Sequence, residues 1–147
     1  MFRLMQCGCI VNNTLNGKPY CMVCHCTEPA PRVERDPNES AVIAVDFDGV
    51  LMNQTHWSGD HDGPLPGARR FLERLIDLGY IVHIHTCRDV PGTWALLDEH
   101  GLSDLVSGVS NTKPVAWAYI DDRGVPFRGD YDEALARLEA FAPWWLE

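Results

Sequence analysis

An α/β fold built on a parallel sheet is the architecture this sequence predicts for most of its length, and three observations predict it. Apolar runs of strand length end at polar residues: 41–45 at Asp46, 80–85 at Thr86 and 116–120 at Asp121. Segments with helical spacing of apolar residues separate those runs. Glycines stand where the helices should stop. Strands separated by helices need crossover connections, and crossovers give parallel pairing.

Taken in order, 41–45 (Ala-Val-Ile-Ala-Val) reads as a buried strand that delivers Asp46-Phe47-Asp48 and turns at Gly49. Residues 51–66, rich in Gly, Asp and His, read as an irregular flap over the strand ends. Ala68, Phe71, Leu72, Leu75, Ile76 and Leu78 predict a helix over 67–78, stopped by Gly79. A second strand follows over 80–86, then a helix over 93–100 with Gly101 as its stop, and a short strand over 105–109. A further apolar strand, 116–120, ends in Asp121-Asp122, and a last helix spans 131–141.

The 147 residues suffice for one domain with a proper core and a small appendage. No apolar run approaches the roughly 20 residues that span a bilayer. The first five residues lack an extended apolar region, so a cytoplasmic protein is expected. The net charge of −9 is uneven: residues 1–35 carry four Lys/Arg against two Asp/Glu, and 36–147 carry eight against nineteen. An acidic body argues against non-specific nucleic-acid binding over the whole surface.

Five of the six cysteines, Cys7, Cys9, Cys21, Cys24 and Cys26, fall within twenty residues. Paired thiols at this spacing are typical of a structural zinc site, and Asn16-Gly17 between the pairs is a hairpin-turn signal. Disulfides are disfavoured by the odd local count and the expected compartment. So small a segment also needs a staple to fold. Cys7, Cys9, Cys21 and Cys24 make the most regular zinc-ribbon-like set; Cys26 is an alternate to Cys24, and His25 a further candidate. Residues 28–40, rich in proline and charge, read as an extended linker. The expected organisation is a zinc module over 1–27, that linker, and the α/β domain over 41–147.

Asp46, Thr86 and Asp121 each follow an apolar strand, so a parallel sheet would gather all three at one edge. Lys113 stands in the loop before the third strand. This set suits phosphoryl transfer. Mg²⁺ takes hard oxygen ligands from a few carboxylates, which Asp46 and the Asp121-Asp122 pair can supply. Thr86 and the amides after it can hold phosphate oxygens, and Lys113 adds positive charge where the transition state spreads negative charge.

In order and spacing these residues resemble the four motifs of the haloacid dehalogenase superfamily of phosphohydrolases, over about residues 41–141. The resemblance implies a Rossmann-like three-layer sandwich around the parallel sheet. It also implies that Asp46 is a nucleophile forming an aspartyl-phosphate, with Asp48 the acid for the leaving group and then the base for water. An Asp at that second position resembles a phosphatase, because an ester oxygen must be protonated as it leaves. Mg²⁺ would be held by the Asp46 carboxylate, the Asp48 backbone carbonyl and Asp122, with Asp121 acting through water or Lys113. Thr86 and Lys113 would hold the phosphate. The 37 residues between Asp48 and Thr86 leave no room for an inserted cap domain. Thr86-Cys87-Arg88-Asp89 and Ile120-Asp121-Asp122-Arg123 look like stretches of phage-type polynucleotide phosphatase domains, which makes Arg88 a candidate substrate contact.

Other residues invite plainer readings. His56, His61, Asp60 and Asp62 are expected to be exposed loop residues rather than a second metal site. His83 and His85 are expected to be satisfied core histidines, and Cys87 incidental. Trp57 is divided between base stacking and flap packing; Trp144 and Trp145 are expected to dock on the core. The functional expectation is a Mg²⁺-dependent phosphomonoesterase acting on nucleotides or nucleic-acid terminal phosphates. The alternative is a zinc-ribbon module that binds nucleic acid or protein, carried on a catalytically silent scaffold.

Overall fold

The computed structural model describes residues 41–54 and 61–146, together with the backbone of four short strands before them: β1 (Arg3–Leu4), β2 (Ile10–Val11), β3 (Thr14–Leu15) and β4 (Lys18–Pro19). The cysteines Cys7, Cys9, Cys21, Cys24 and Cys26, His25, the 28–40 linker, His56, Trp57 and Asp60 lie outside the described residues, as do the side chains of His61 and Asp62. Backbone contacts divide the chain into two units, Met1–Asn38 and Glu39–Glu147. In the first, β1 pairs antiparallel with β2, and β3 with β4. Leu15 stands opposite Lys18, so Asn16-Gly17 falls between the paired strands in the chain.

The second unit runs β5 (Val42–Asp46), β6 (Met52–Gln54), β7 (His61–Pro64), α1 (Ala68–Asp77), β8 (Ile81–His85), α2 (Val90–Glu99), β9 (Gly108–Ser110), β10 (Ala118–Ile120) and α3 (Tyr131–Glu139). Short 3-10 turns occupy Ser103–Leu105 and Trp144–Leu146. The sheet has the order β10-β5-β8-β9, and every pairing in it is parallel. This is a Rossmann-like α/β arrangement. From β5 the chain moves outward through β8 to β9, then crosses back to place β10 on the other side of β5. The order therefore reverses at β5, and such switch points open a crevice at the strands' carboxyl ends.

Ile43 pairs with Val82 and Val45 with Ile84, so these four residues share one face of the sheet. They form a single core cluster with Leu72 and Leu75 of α1 and Leu97 of α2. Both helices thus cover the same face, as right-handed crossovers in one direction require. Leu72 is fully buried there, and burial of a leucine side chain contributes about 2 kcal/mol. The opposite face carries Ala44, His83, His85 and Tyr119, which is why β8 alternates buried and partly exposed positions.

Three elements depart from the sequence reading. The 51–66 flap is not irregular where it is described: β6 and β7 form an antiparallel hairpin with a register shift between Met52 and Gln54. Helix α2 begins at Val90 rather than 93, because the Asp89 side chain caps it, accepting a 2.7 Å hydrogen bond from the Gly92 N–H. Pro91 fits that first turn, where no amide donor is needed. Finally, 105–109 divides into the 3-10 turn and β9, which runs on to Ser110. Among the described residues, no helix is long and apolar enough to cross a membrane.

Candidate functional site

Sheet register alone sets the framework. Asp46 pairs with His85 and Val45 with Ile120. Thr86 and Asp121 are the next residues along, so both emerge beside Asp46. The sheet thus brings Asp46, Thr86 and Asp121 to one edge, where a cavity of about 170 Å³ is lined by Asp46, Asp48, His85, Thr86, Cys87, Asp121 and Arg123. Asp46, Asp121 and Asp122 each offer an oxygen within 4.8 Å of the others.

The turn after Asp46 is held by its own backbone. The amides of Leu51 and Met52 both donate to the Phe47 carbonyl, at 3.0 and 2.9 Å, and Gly49 N–H donates to the Met52 carbonyl at 2.9 Å. Phe47, Leu51 and Met52 are buried and anchor the turn in the core. Gly49 has φ 81, a left-handed conformation that glycine adopts without strain. A Cβ there would overlap Asp122 Oδ2 and stand 2.8 Å from Asp122 Cγ and 3.3 Å from Trp145 Nε1. Glycine is required twice over, by conformation and by the approach of Asp122.

Asp46 accepts a 2.8 Å hydrogen bond from the Phe47 amide. Its carboxyl is nevertheless raised from 3.8 to about 7, first by burial and then by the facing charges of Asp121 and Asp122, with the Phe47 hydrogen bond opposing. Three acidic groups at this separation repel one another unless a proton or a cation lies among them. The Asp122 side chain is only 1% exposed. Its Oδ2 accepts a 2.5 Å hydrogen bond from the Trp145 indole N–H, while its Oδ1 is buried with no hydrogen-bond partner. A buried carboxylate with one oxygen lacking a donor, grouped with two further carboxylates, suits a hard divalent cation.

Asp48 sits apart from that cluster. Arg88 grips both of its oxygens, Nε to Oδ2 at 2.7 Å and Nη2 to Oδ1 at 2.8 Å. The guanidinium also lies 5.9 Å from the Phe47 ring centre, and the Arg88 amide donates to Thr86 Oγ1 at 3.2 Å. Thr86 itself is buried. Asp121 Oδ1 accepts from the Arg123 amide at 2.7 Å, and the Arg123 side chain reaches Gln54 Oε1 at 3.0 Å.

Lys113 stands outside the 170 Å³ cavity and lines a larger neighbour of about 640 Å³. That cavity shares His85 and Asp121 with the first and adds Tyr119 and Phe127. Lys113 Nζ lies 4.9 Å from the Tyr119 ring centre. Tyr119 is 41% and Phe127 57% exposed, so both rings present surface to an incoming group.

Two histidine expectations part company. His83 behaves as a satisfied histidine: Nε2 meets Ser110 Oγ at 3.0 Å, and its pKa is lowered by burial and then by His85. His85 does not, for it lines both cavities and its buried Nδ1 has no partner. The strand's polar alternation carried that signal. Trp144 and Trp145 dock on the site loops rather than only on apolar core, with Trp144 Nε1 donating to the Gly49 carbonyl at 2.7 Å. Cys87 is exposed beside the carboxylates.

No family model matches the chain, and no curated protein matches it. Among solved structures, a conserved protein coded by a locus from Bacteroides thetaiotaomicron is similar over 67% of this chain and 89% of that one, with 20% identity and a TM-score of 0.47.

Proposed function

We propose that this protein is a Mg²⁺-dependent phosphomonoesterase of the haloacid dehalogenase type, acting through an aspartyl-phosphate on Asp46. The observation that carries the reading is the meeting of Asp46, Asp121 and the buried Asp122, whose Oδ1 lacks a hydrogen-bond partner, with Thr86 beside Asp46 and Asp121 on one cavity wall. Asp46, Asp121 and Asp122 would hold the cation, with the Asp48 carbonyl as a further ligand by resemblance. When bound, Mg²⁺ supplies the positive charge that lets one anion approach another.

The chain's own groups do the rest. The Asp46 carboxylate attacks phosphorus, and the ester oxygen leaves with a proton from Asp48. Asp48 then takes a proton from the water that hydrolyses the acyl phosphate, restoring both carboxyl groups. The Thr86 hydroxyl, which accepts from the Arg88 amide, keeps its own proton to donate to a phosphate oxygen. Arg88 explains how Asp48 is kept in reserve. A phosphate that draws the guanidinium toward itself, as bidentate geometry favours, frees the Asp48 carboxylate to take up a proton from solvent, which it then passes to the leaving oxygen.

Nucleotides or nucleic-acid terminal phosphates are the substrate class we favour. Between Asp48 and Thr86 the described residues form the β6–β7 hairpin and α1, and the 37 residues of that interval are too few for an inserted domain. The adjoining cavity offers the Lys113 cation and the Tyr119 and Phe127 rings to the organic half of an ester. We further assign a structural zinc to Cys7, Cys9, Cys21 and Cys24, with Cys26 alternate to Cys24. In support, β3 and β4 pair as a hairpin between the two cysteine groups. Metal analysis of the purified chain should find one zinc.

The test is phosphate release from nucleoside monophosphates, 3′- and 5′-phosphorylated oligonucleotides and phosphopeptides, with Mg²⁺ or EDTA. Release from one class that needs Mg²⁺ and vanishes in Asp46→Asn supports the proposal. Silence across the panel from folded, metal-loaded protein refutes it and turns attention to the zinc module as a binding unit.

A further inference from the structure

The two oxygens of Asp122 have different surroundings, and the difference comes from residues outside the motif that contains it. Oδ2 receives the Trp145 indole N–H at 2.5 Å and faces Arg123 Nε at 3.8 Å. Oδ1 is buried and has no hydrogen-bond partner. Arg123 lies 5.7 Å from the Trp145 ring centre, and its other end reaches Gln54 of the hairpin. Trp144, next in the chain, donates to the Gly49 carbonyl. The 3-10 turn Trp144–Leu146 is therefore pinned to both loops that carry the acidic residues, one through each indole.

From this geometry we infer that Trp145 is a positioning residue for the divalent-cation site: it holds Asp122 by Oδ2 so that Oδ1 is presented to the ion. The inference rests on reading Asp46, Asp121 and Asp122 as a cation site. A carboxylate free to rotate would spend part of its time turning Oδ1 away, toward Arg123 or solvent. An indole is suited to the task because it has one donor, no acceptor and few rotamers. Its N–H can hold a carboxylate oxygen but cannot compete as a ligand for the ion. Gly49 completes the device, since any Cβ there would occupy the space Asp122 uses.

Calorimetric titration of Mn²⁺ and Mg²⁺ into the wild type, Trp145→Phe and Asp122→Asn tests this directly. Trp145→Phe should weaken ion affinity by about ten-fold or more, the loss typical when a group orienting a ligand is removed. Thermal stability in EDTA should fall modestly, since the buried Asp122 loses a donor, and the affinities are compared well below each melting temperature. Nuclear magnetic resonance of the wild type supplies a readout independent of any variant's folding: the Trp145 indole N–H signal should shift as Mg²⁺ is added. Affinity unchanged in Trp145→Phe, or an indole signal that stays put while the ion binds, overturns the positioning role and leaves the cation site standing. A wild type that binds neither ion removes the cation site and the inference together.

Discussion

Replacing Asp46 with asparagine removes a charge and keeps the side chain's shape, including the oxygen that accepts from the Phe47 amide. The metal-free protein should become more stable for it, and increasingly so as pH rises. The carboxyl is raised from 3.8 to about 7 by burial and by Asp121 and Asp122. Between those values the folded chain keeps a proton that the unfolded chain has lost, so raising pH favours unfolding. The cost is complete above the folded value and vanishes below the unfolded one. At about 1.4 kcal/mol per pKa unit, full ionisation costs about 4 kcal/mol, and partial exposure of Asp46 reduces this to about 2 kcal/mol. Of that, about 1.2 kcal/mol should develop between about pH 5 and about pH 8. Urea denaturation in EDTA at those two values, for wild type and Asp46→Asn, measures it. A stability difference that does not change with pH, or one that grows in the wild type's favour, would refute the reasoning. Saturating Mg²⁺ should reverse the order at the higher pH, because the ion stabilises the ionised wild type.

Three further outcomes are expected. A double-mutant cycle on Arg88→Ala and Asp48→Ala, read by urea denaturation, should give a coupling of about 1–2 kcal/mol for their half-buried bidentate pair. Gly49→Ala combines positive φ with overlap of Asp122, and should cost at least about 2 kcal/mol while also weakening Mn²⁺ binding by calorimetry. Asp130 caps α3 by accepting from the amides of Asp132 and Glu133 at 2.9 and 3.0 Å; Asp130→Ala should cost about 1 kcal/mol on thermal unfolding, with ion binding unchanged.

Much of the sheet was legible in the sequence because its signals are local. Runs such as 41–45 and 80–85 are long and apolar enough to be strands, and the polar residue ending each one faces the same edge once pairing is parallel. Asp46, Thr86 and Asp121 therefore come together from strand order alone, with no contact specified. The start of α2 was legible in principle: Asp89 followed by Pro91 is a cap and first turn, but Pro91-Gly92 resembles a break when read alone. The β6–β7 hairpin leaves no sequence signal, because Asn53, His61, Asp62 and Gly63 give little apolar alternation. The partners of Asp48 and Asp122 had no local signal. Arg88 meets Asp48 across 40 positions, and Trp145 meets Asp122 across 23. Lys113 shows the converse: its place before the third strand was plain, but its lodging against Tyr119 follows from how the 111–117 segment crosses the sheet.

The short turn at Trp144–Leu146 also bears on how the site behaves in time. It is one 3-10 turn, the least costly kind of element to release, yet it fastens two loops that belong to different strands. Local opening of such a turn requires far less free energy than unfolding the sheet beneath it. When it lifts, Asp122 loses its indole donor and the Gly49 carbonyl loses its own together, so both loops are released at once. The rate at which the two indole protons exchange with heavy water would then report the lifetime of the assembled site, and any ion that binds there should lengthen it.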